Sequence, residues 1–371
     1  MILLYIIITL FILYGFLILY YWRSWKAVPI YVPTGPIPAI KISVIIPARN
    51  EENNIGRLLE ALQQQDFPAG QIETIVVDDH STDNTAAIVR QYPNVKLISL
   101  KEDGINSYKK KAIETGIAAS TGELIVTTDA DCLPPSSWLS LLAAFKKEKA
   151  AAFIAAPVVI DCNNTLLQCF QAIDFMVLQG VTAAAVHKNQ LSMCNGANLA
   201  YERKAFDAVN GFSGVDHIAS GDDMLLMHKI NKQFPGKSHY LLSGDAIVST
   251  QPMKTWKAFF NQRIRWASKA RAYSDKRIFP VLLLVYLFNL SFLALAIAGF
   301  FNWQYWIWLA GLWVAKTIVE LPFFIAVARF FHKKWAIKLF FFFQPLHIGY
   351  TIVSGLFGQL GRYEWKGRRV K

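Results

Sequence analysis

The run GELIVTTDADCLPP ends an apolar stretch by placing two carboxylates, Asp129 and Asp131, one residue apart. Side chains at i and i+2 of a strand point to the same side, so these two charges would repel unless a cation sat between them. Paired hard oxygens suit Mg²⁺ or Mn²⁺, ions that take few carboxylates and complete their shell with phosphates. The chain has neither GxxxxGK[ST] nor GxGxxG, so a P-loop or dinucleotide turn does not account for such a phosphate. A second carboxylate pair, Asp222 and Asp223, opens a helix in ASGDDMLLMHKI. It reads either as an N-cap favoured by the helix dipole or as a general base that takes a proton from an acceptor hydroxyl.

These groups need a scaffold, and the chain between Lys41 and Thr250 has the composition of one. KISVIIPARN, ETIVVDDHSTDNT, NVKLISL and ELIVTTDADC read as apolar strands. They alternate with helical stretches such as EENNIGRLLEALQQQ and YKKKAIETGIAAS, the pattern of an α/β fold with a mostly parallel sheet and helices on both faces. Ligands in such sheets sit beyond the carboxyl ends of the strands. Arg49, Asn50 and Glu51 end the first strand, Asp78 and Asp79 the second, Asp129 and Asp131 the fourth. Any one cluster could be turn or capping chemistry, but three on one edge make a candidate site.

The rest of the chain points to a bilayer. Of 371 residues 54% are hydrophobic and 26 are Phe, yet the net charge is +12. Apolar bulk with basic flanks fits a membrane protein beside anionic lipid, and the long apolar runs argue against a nucleic-acid binder. Residues 1–22 are uncharged and long enough to cross, and Arg23 and Lys26 follow, which puts the next residues in the cytoplasm. Residues 23–40 hold a proline-rich linker, 41–250 a globular domain, and 251–278 a basic, aromatic-rich helix lying along the membrane surface. Apolar segments follow within 279–360, then a basic tail over 361–371. Two of these segments read as spans. The third, 336–360, would leave the basic tail outside if it crossed, so a re-entrant or interfacial hairpin broken near Gln344 and Pro345 is expected. Lys316 and Glu320 lie one turn apart inside an apolar span, as a mutual ion pair or a functional site. The four cysteines lack metal-site spacing and read as free thiols.

SVIIPARNEENNIGRLLEAL, VVDDHSTDNT, the DAD triplet, GDD and QRIRW stand in an order that resembles family 2 glycosyltransferases, among them cellulose, chitin and hyaluronan synthases and ceramide glucosyltransferase. The resemblance covers roughly residues 41 to 270. It implies a GT-A fold, a UDP-sugar donor, Mg²⁺ or Mn²⁺, and inversion at the anomeric carbon. It implies that Asp78 or Asp79 contacts the nucleotide base, that Asp129 and Asp131 face the ribose and the metal-bound diphosphate, and that Asp223, beside Asp222, is the base. Gln262 and Arg265 of QxxRW would contact the donor diphosphate, and Trp266 would border the acceptor site. Lys109 stands at the family's lysine position in the third helix. There YKKKAIETG departs from GKxxALNxG, with no glycine before Lys109 and Glu114 in place of asparagine. His80 stands where glycine is frequent. Gly196 to Phe212 resembles the acceptor-side region.

The resulting expectation is a multi-pass membrane enzyme, its catalytic domain on the cytoplasmic face of a bacterial inner membrane, moving a sugar to a membrane lipid or glycan acceptor. Polymer extrusion needs a pore walled by several spans, whereas a lipid can reach the site sideways, which favours the lipid. Processive polysaccharide synthesis is the alternative, followed by an inactive nucleotide-sugar binder.

Overall fold

A computed structural model describes residues 1–162, 165–190, 193–268, 277–359, 363–365 and 368–370. Two compact units divide the chain. One comprises Pro29–Asp161, Leu191–Gln251 and Glu364–Lys371; the other Met1–Val28, Cys162–Gln190 and Pro252–Tyr363.

The first unit is built on a seven-stranded sheet. Its strands lie in the order Val95–Ser99, Ile72–Asp78, Ile42–Ala48, Leu124–Thr127, Leu199–Glu202, Phe153–Ala155, Ser238–Tyr240. The first four run parallel, with Ile42 opposite both Ile72 and Leu124 and Val77 opposite Ile98. Leu199–Glu202 is antiparallel to both its neighbours, which makes the sheet mixed. Ile42–Ala48 sits near the middle and is buried along almost its whole length, which is why ISVIIPA is a continuous apolar run rather than an alternating one. Helix Tyr108–Ala118 packs on this strand and on Ile72–Asp78. A small second sheet joins Cys132–Leu133, Val248–Thr250 and Val158–Ile160.

Among the described residues the second unit holds five helices long and apolar enough to cross a membrane: Ile2–Ala27, Leu166–His187, Ile278–Gly299, Gln304–Phe330 and Ala336–Gly358. The N-terminal helix runs past the expected residue 22 to Ala27. Leu166–His187 interrupts the stretch read as one catalytic domain over 41–250, and it is largely buried where the other four are not. The break expected near Gln344 and Pro345 is absent, since Ala336–Gly358 is a continuous helix with Pro345 inside it. Gln344 is not a breaker because its side chain has partners across the helices. Its Oε1 accepts from Lys316 Nζ at 2.6 Å and its Nε2 donates to Glu320 Oε2 at 2.5 Å. Lys316 Nζ meets Glu320 Oε1 at 2.7 Å, and the Tyr14 hydroxyl donates to the same oxygen. Lys316 and Glu320 are therefore a mutual pair, in a buried cluster that joins three helices. Ionisable groups persist at such depth only when satisfied in this way. Of the expected surface helix the described part is Trp256–Ser268; residues 269–276, and 361–362, 366–367 and 371 of the basic tail, lie outside the described residues.

Candidate functional site

The strand carrying the DAD triplet ends at Thr127, and a turn covers Ala130 and Asp131. The two carboxylates are thus not held by strand alternation. The cation against Asp129 comes from the chain itself: Lys109 Nζ lies 2.6 Å from Asp129 Oδ1 and 3.0 Å from Asp222 Oδ2. One ammonium thereby joins the DAD turn to the GDD loop, and helix Tyr108–Ala118 reaches the site despite its departure from the family pattern. Burial acts to lower the Lys109 pKa, but the carboxylates of Asp129, Asp222 and Asp223 outweigh it and hold the ammonium charged.

Asp223 is the N-cap of helix Met224–Gln233 and accepts from the Met224 amide at 2.7 Å. Gly221 before it has φ +84°, a left-handed backbone that favours glycine, and so places both carboxylates at the helix start. Gly196 answers to a different constraint. A Cβ there would lie 3.0 Å from both Asp222 Oδ2 and Lys109 Nζ, so the chain passes directly over the ion pair. Two residues on, Asn198 is fully buried and takes Trp138 Nε1 at 2.8 Å while donating to the Pro157 and Ala246 carbonyls. It is a core hub.

Lys110, the next residue along, has a job that the sequence reading missed. It is 1% exposed and donates to the carbonyls of Val215, Ile218 and Ser220 at 2.8, 2.6 and 3.0 Å. These carbonyls belong to the loop leading into Gly221–Asp223. Adjacent lysines thus divide the work: Lys109 bridges the carboxylates and Lys110 pins the loop that presents them. Glu114, found in place of asparagine, accepts from the Phe212 amide at 3.2 Å.

Asp78 ends the parallel strand Ile72–Asp78 and Asp79 follows it, and both are buried. Asp78 Oδ1 accepts from the Ser81 amide at 3.3 Å, while Asp79 meets His80 Nδ1 at 3.0 Å and Arg49 at 4.0 Å. Arg49 also donates to the Asp79 and His80 carbonyls. His80 has φ +53°, which explains why glycine is common at such a position. Burial pushes the Cys132 thiol pKa up, with Asp131 and Asp129 adding to it, so Cys132 stays protonated. None of the four cysteines is joined in a disulfide.

Gln262, Arg265 and Trp266 lie on helix Trp256–Ser268 in the other unit. The anchor of that helix is the residue between them. Arg263, 3% exposed, places Nε and Nη2 at 3.1 and 2.7 Å from Asp174 Oδ2, and Nη1 donates to Gln262 Oε1 at 2.9 Å. Its guanidinium stacks on Phe259 and Trp266, and the Tyr350 hydroxyl donates to the other Asp174 oxygen. Asp174 belongs to Leu166–His187, a helix the sequence reading did not separate from the catalytic domain. A lone acid in LLQCFQAIDFMVLQG was the available signal.

Residues 43–209 match the model of glycosyl transferase family 2. A probable glycosyltransferase of Bacillus subtilis, YdaM, is 31% identical over 234 residues, covering 61% of this chain and 54% of that protein. A beta-monoglucosyldiacylglycerol synthase of Synechocystis is 32% identical over 264 residues, 66% of this chain and 52% of that protein. The chain spans about half the length of these relatives. A mannosyltransferase from Pyrobaculum calidifontis, solved with GDP-Man and Mn²⁺, shares the fold with a TM-score of 0.63 at 22% identity, over 89% of this chain and 99% of that one. The matched segment, residues 43–209, is thus a family 2 glycosyltransferase domain, folded into a mixed GT-A sheet and joined at DAD to GDD through Lys109.

Proposed function

We propose that this protein is a membrane-bound inverting glycosyltransferase that moves one sugar from a UDP-sugar to a hydroxyl of a membrane lipid. The observation that carries it is Lys109 bridging Asp129 and Asp222, with Asp223 next in sequence at a helix N-terminus. Asp223 takes the proton of the acceptor hydroxyl as that oxygen attacks the anomeric carbon; the bond from that carbon to the diphosphate oxygen breaks, and UDP leaves with the electron pair. The Lys109 charge keeps Asp129 and Asp222 together at one place beside the leaving group. Asp78 and Asp79 hold the nucleotide base, Gln262 and Arg265 the diphosphate, and Trp266 an acceptor face.

Asp129 and Asp131 fit a divalent cation by the chemistry of their donor set. They are two half-buried carboxylates two residues apart, and Asp129 already holds the Lys109 ammonium with one oxygen. That is the ligand set of an ion that keeps positions for phosphate and water. Held by Asp129 and Asp131, a Mg²⁺ or Mn²⁺ would supply positive charge to offset that of a diphosphate.

The lipid acceptor is supported by the named activity of the Synechocystis relative and by helices with few groups able to bond a sugar chain. Membranes containing the protein are incubated with radiolabelled UDP-sugars. Label extracted into chloroform–methanol is the expected result. Label in an insoluble, glycosidase-sensitive polymer overturns the lipid assignment, and UDP release that Asp223→Asn leaves unchanged overturns the enzymatic one.

A further inference from the structure

The N-terminal helix Ile2–Ala27 carries a feature that sugar transfer does not use. Phe16, Leu19, Tyr20, Arg23 and Ser24 recur at i, i+3, i+4, i+7 and i+8, which puts them on one helix face. With Lys188, the C-cap of Leu166–His187, they line a cavity of about 340 Å³ within the membrane-helix unit. The lining is graded. Phe16 and Leu19 give it an apolar end, Arg23 and Lys188 a cationic end, and Tyr20 stands between. Neither cation has an acidic partner among the described residues. Basic residues flanking a span follow from the charge rule alone. That rule does not require two of them, one from each of two helices, to share the wall of a cavity with a phenylalanine and a leucine.

We infer that this groove binds an anionic glycerophospholipid, its phosphate between Arg23 and Lys188 and an acyl chain along Phe16 and Leu19. The gradient from apolar to aromatic to cationic follows that of the lipid itself, from acyl chain through the interface to the headgroup. Phe16 is 66% exposed, open to a chain arriving from the bilayer. Arg23 offers forked donors to phosphate oxygens and Lys188 a point charge. The site is separate from the acceptor reading, and its test does not depend on activity.

The full-length protein is reconstituted in nanodiscs of phosphatidylcholine with a minor fraction of phosphatidylglycerol, and the lipid retained after re-extraction is quantified by mass spectrometry. Enrichment of phosphatidylglycerol is expected, falling roughly 20-fold in the Arg23→Gln, Lys188→Gln double variant. Arg23→Lys should keep part of it. Lys333→Gln with Lys334→Gln removes two basic residues elsewhere and should leave it intact. Unchanged enrichment in the first double variant overturns the site, and an equal loss in the second reduces it to diffuse surface charge. Inorganic phosphate that binds the detergent-solubilised protein through Arg23 and Lys188 and displaces no lipid would replace the lipid by a free anion.

Discussion

At the scale of single residues, the carboxylates of the candidate site stand out in the sequence, whereas Lys110, which holds the loop before two of them, does not. Asp129, Asp131, Asp222 and Asp223 announce themselves because paired carboxylates are costly without a purpose. Asp223→Asn keeps size and polarity but cannot take a proton. UDP-sugar binding by calorimetry should survive while transfer falls by on the order of 10²-fold or more. Lys110 looks like any lysine in a basic run, and only the buried carbonyls of Val215, Ile218 and Ser220 reveal it. Lys110→Met strands those carbonyls and should destabilise the fold by about 2–4 kcal/mol, read as a lowered Tm in detergent. It should also cut turnover while Asp223 is still present. Lys109 supports a pH prediction. Its folded pKa is raised, so the stability it contributes is complete below its ordinary value of about 10.4 and is lost only as pH rises through the higher folded value. The Tm gap between the wild type and Lys109→Met should therefore stay constant from about pH 7 to about pH 10. A gap that closes over that interval would show that Lys109 is not held charged by its carboxylates.

Among elements, periodicity identified the strands and helices, and partners decided how two of them behave. QRIRW was read as a membrane-surface helix with Gln262, Arg265 and Trp266 as its working groups. In the structure the neighbouring Arg263 is the buried member and ties the helix to Asp174. Removing one side of a buried pair leaves the other charge uncompensated, so Arg263→Met should cost about 3–5 kcal/mol. Adding Asp174→Leu removes that charge and should restore most of the loss, whereas additive losses in the double variant would exclude the pairing as the cause. Gln344 and Pro345 looked like a helix break because a polar residue beside proline usually is one. Lys316 and Glu320, on a helix distant in sequence, bind the Gln344 side chain instead, and no local pattern could convey that.

For the whole molecule, connectivity limits which apolar helices can cross. Leu166–His187 passes the length and hydropathy test. Yet Phe153–Ala155, which precedes it by one intervening strand, and Leu199–Glu202, the strand after it, are hydrogen-bonded neighbours in one sheet. A single crossing between them would split that sheet across the bilayer, so both ends of the helix must face one side. Cys162 and Cys194 flank it, neither in a disulfide and both partly exposed. In sealed vesicles a membrane-impermeant maleimide should label both from the same face; labelling from opposite faces would refute the topology. By itself the sequence determined what depends on neighbours along the chain: the apolar spans, the strand–helix alternation, and the acidic motifs with the family they belong to. Contacts between distant residues were left to the tertiary structure. It decided that Lys109 bridges Asp129 and Asp222 and that Asp174 holds Arg263, because a side chain's partner is fixed by packing and only its preferences by its type.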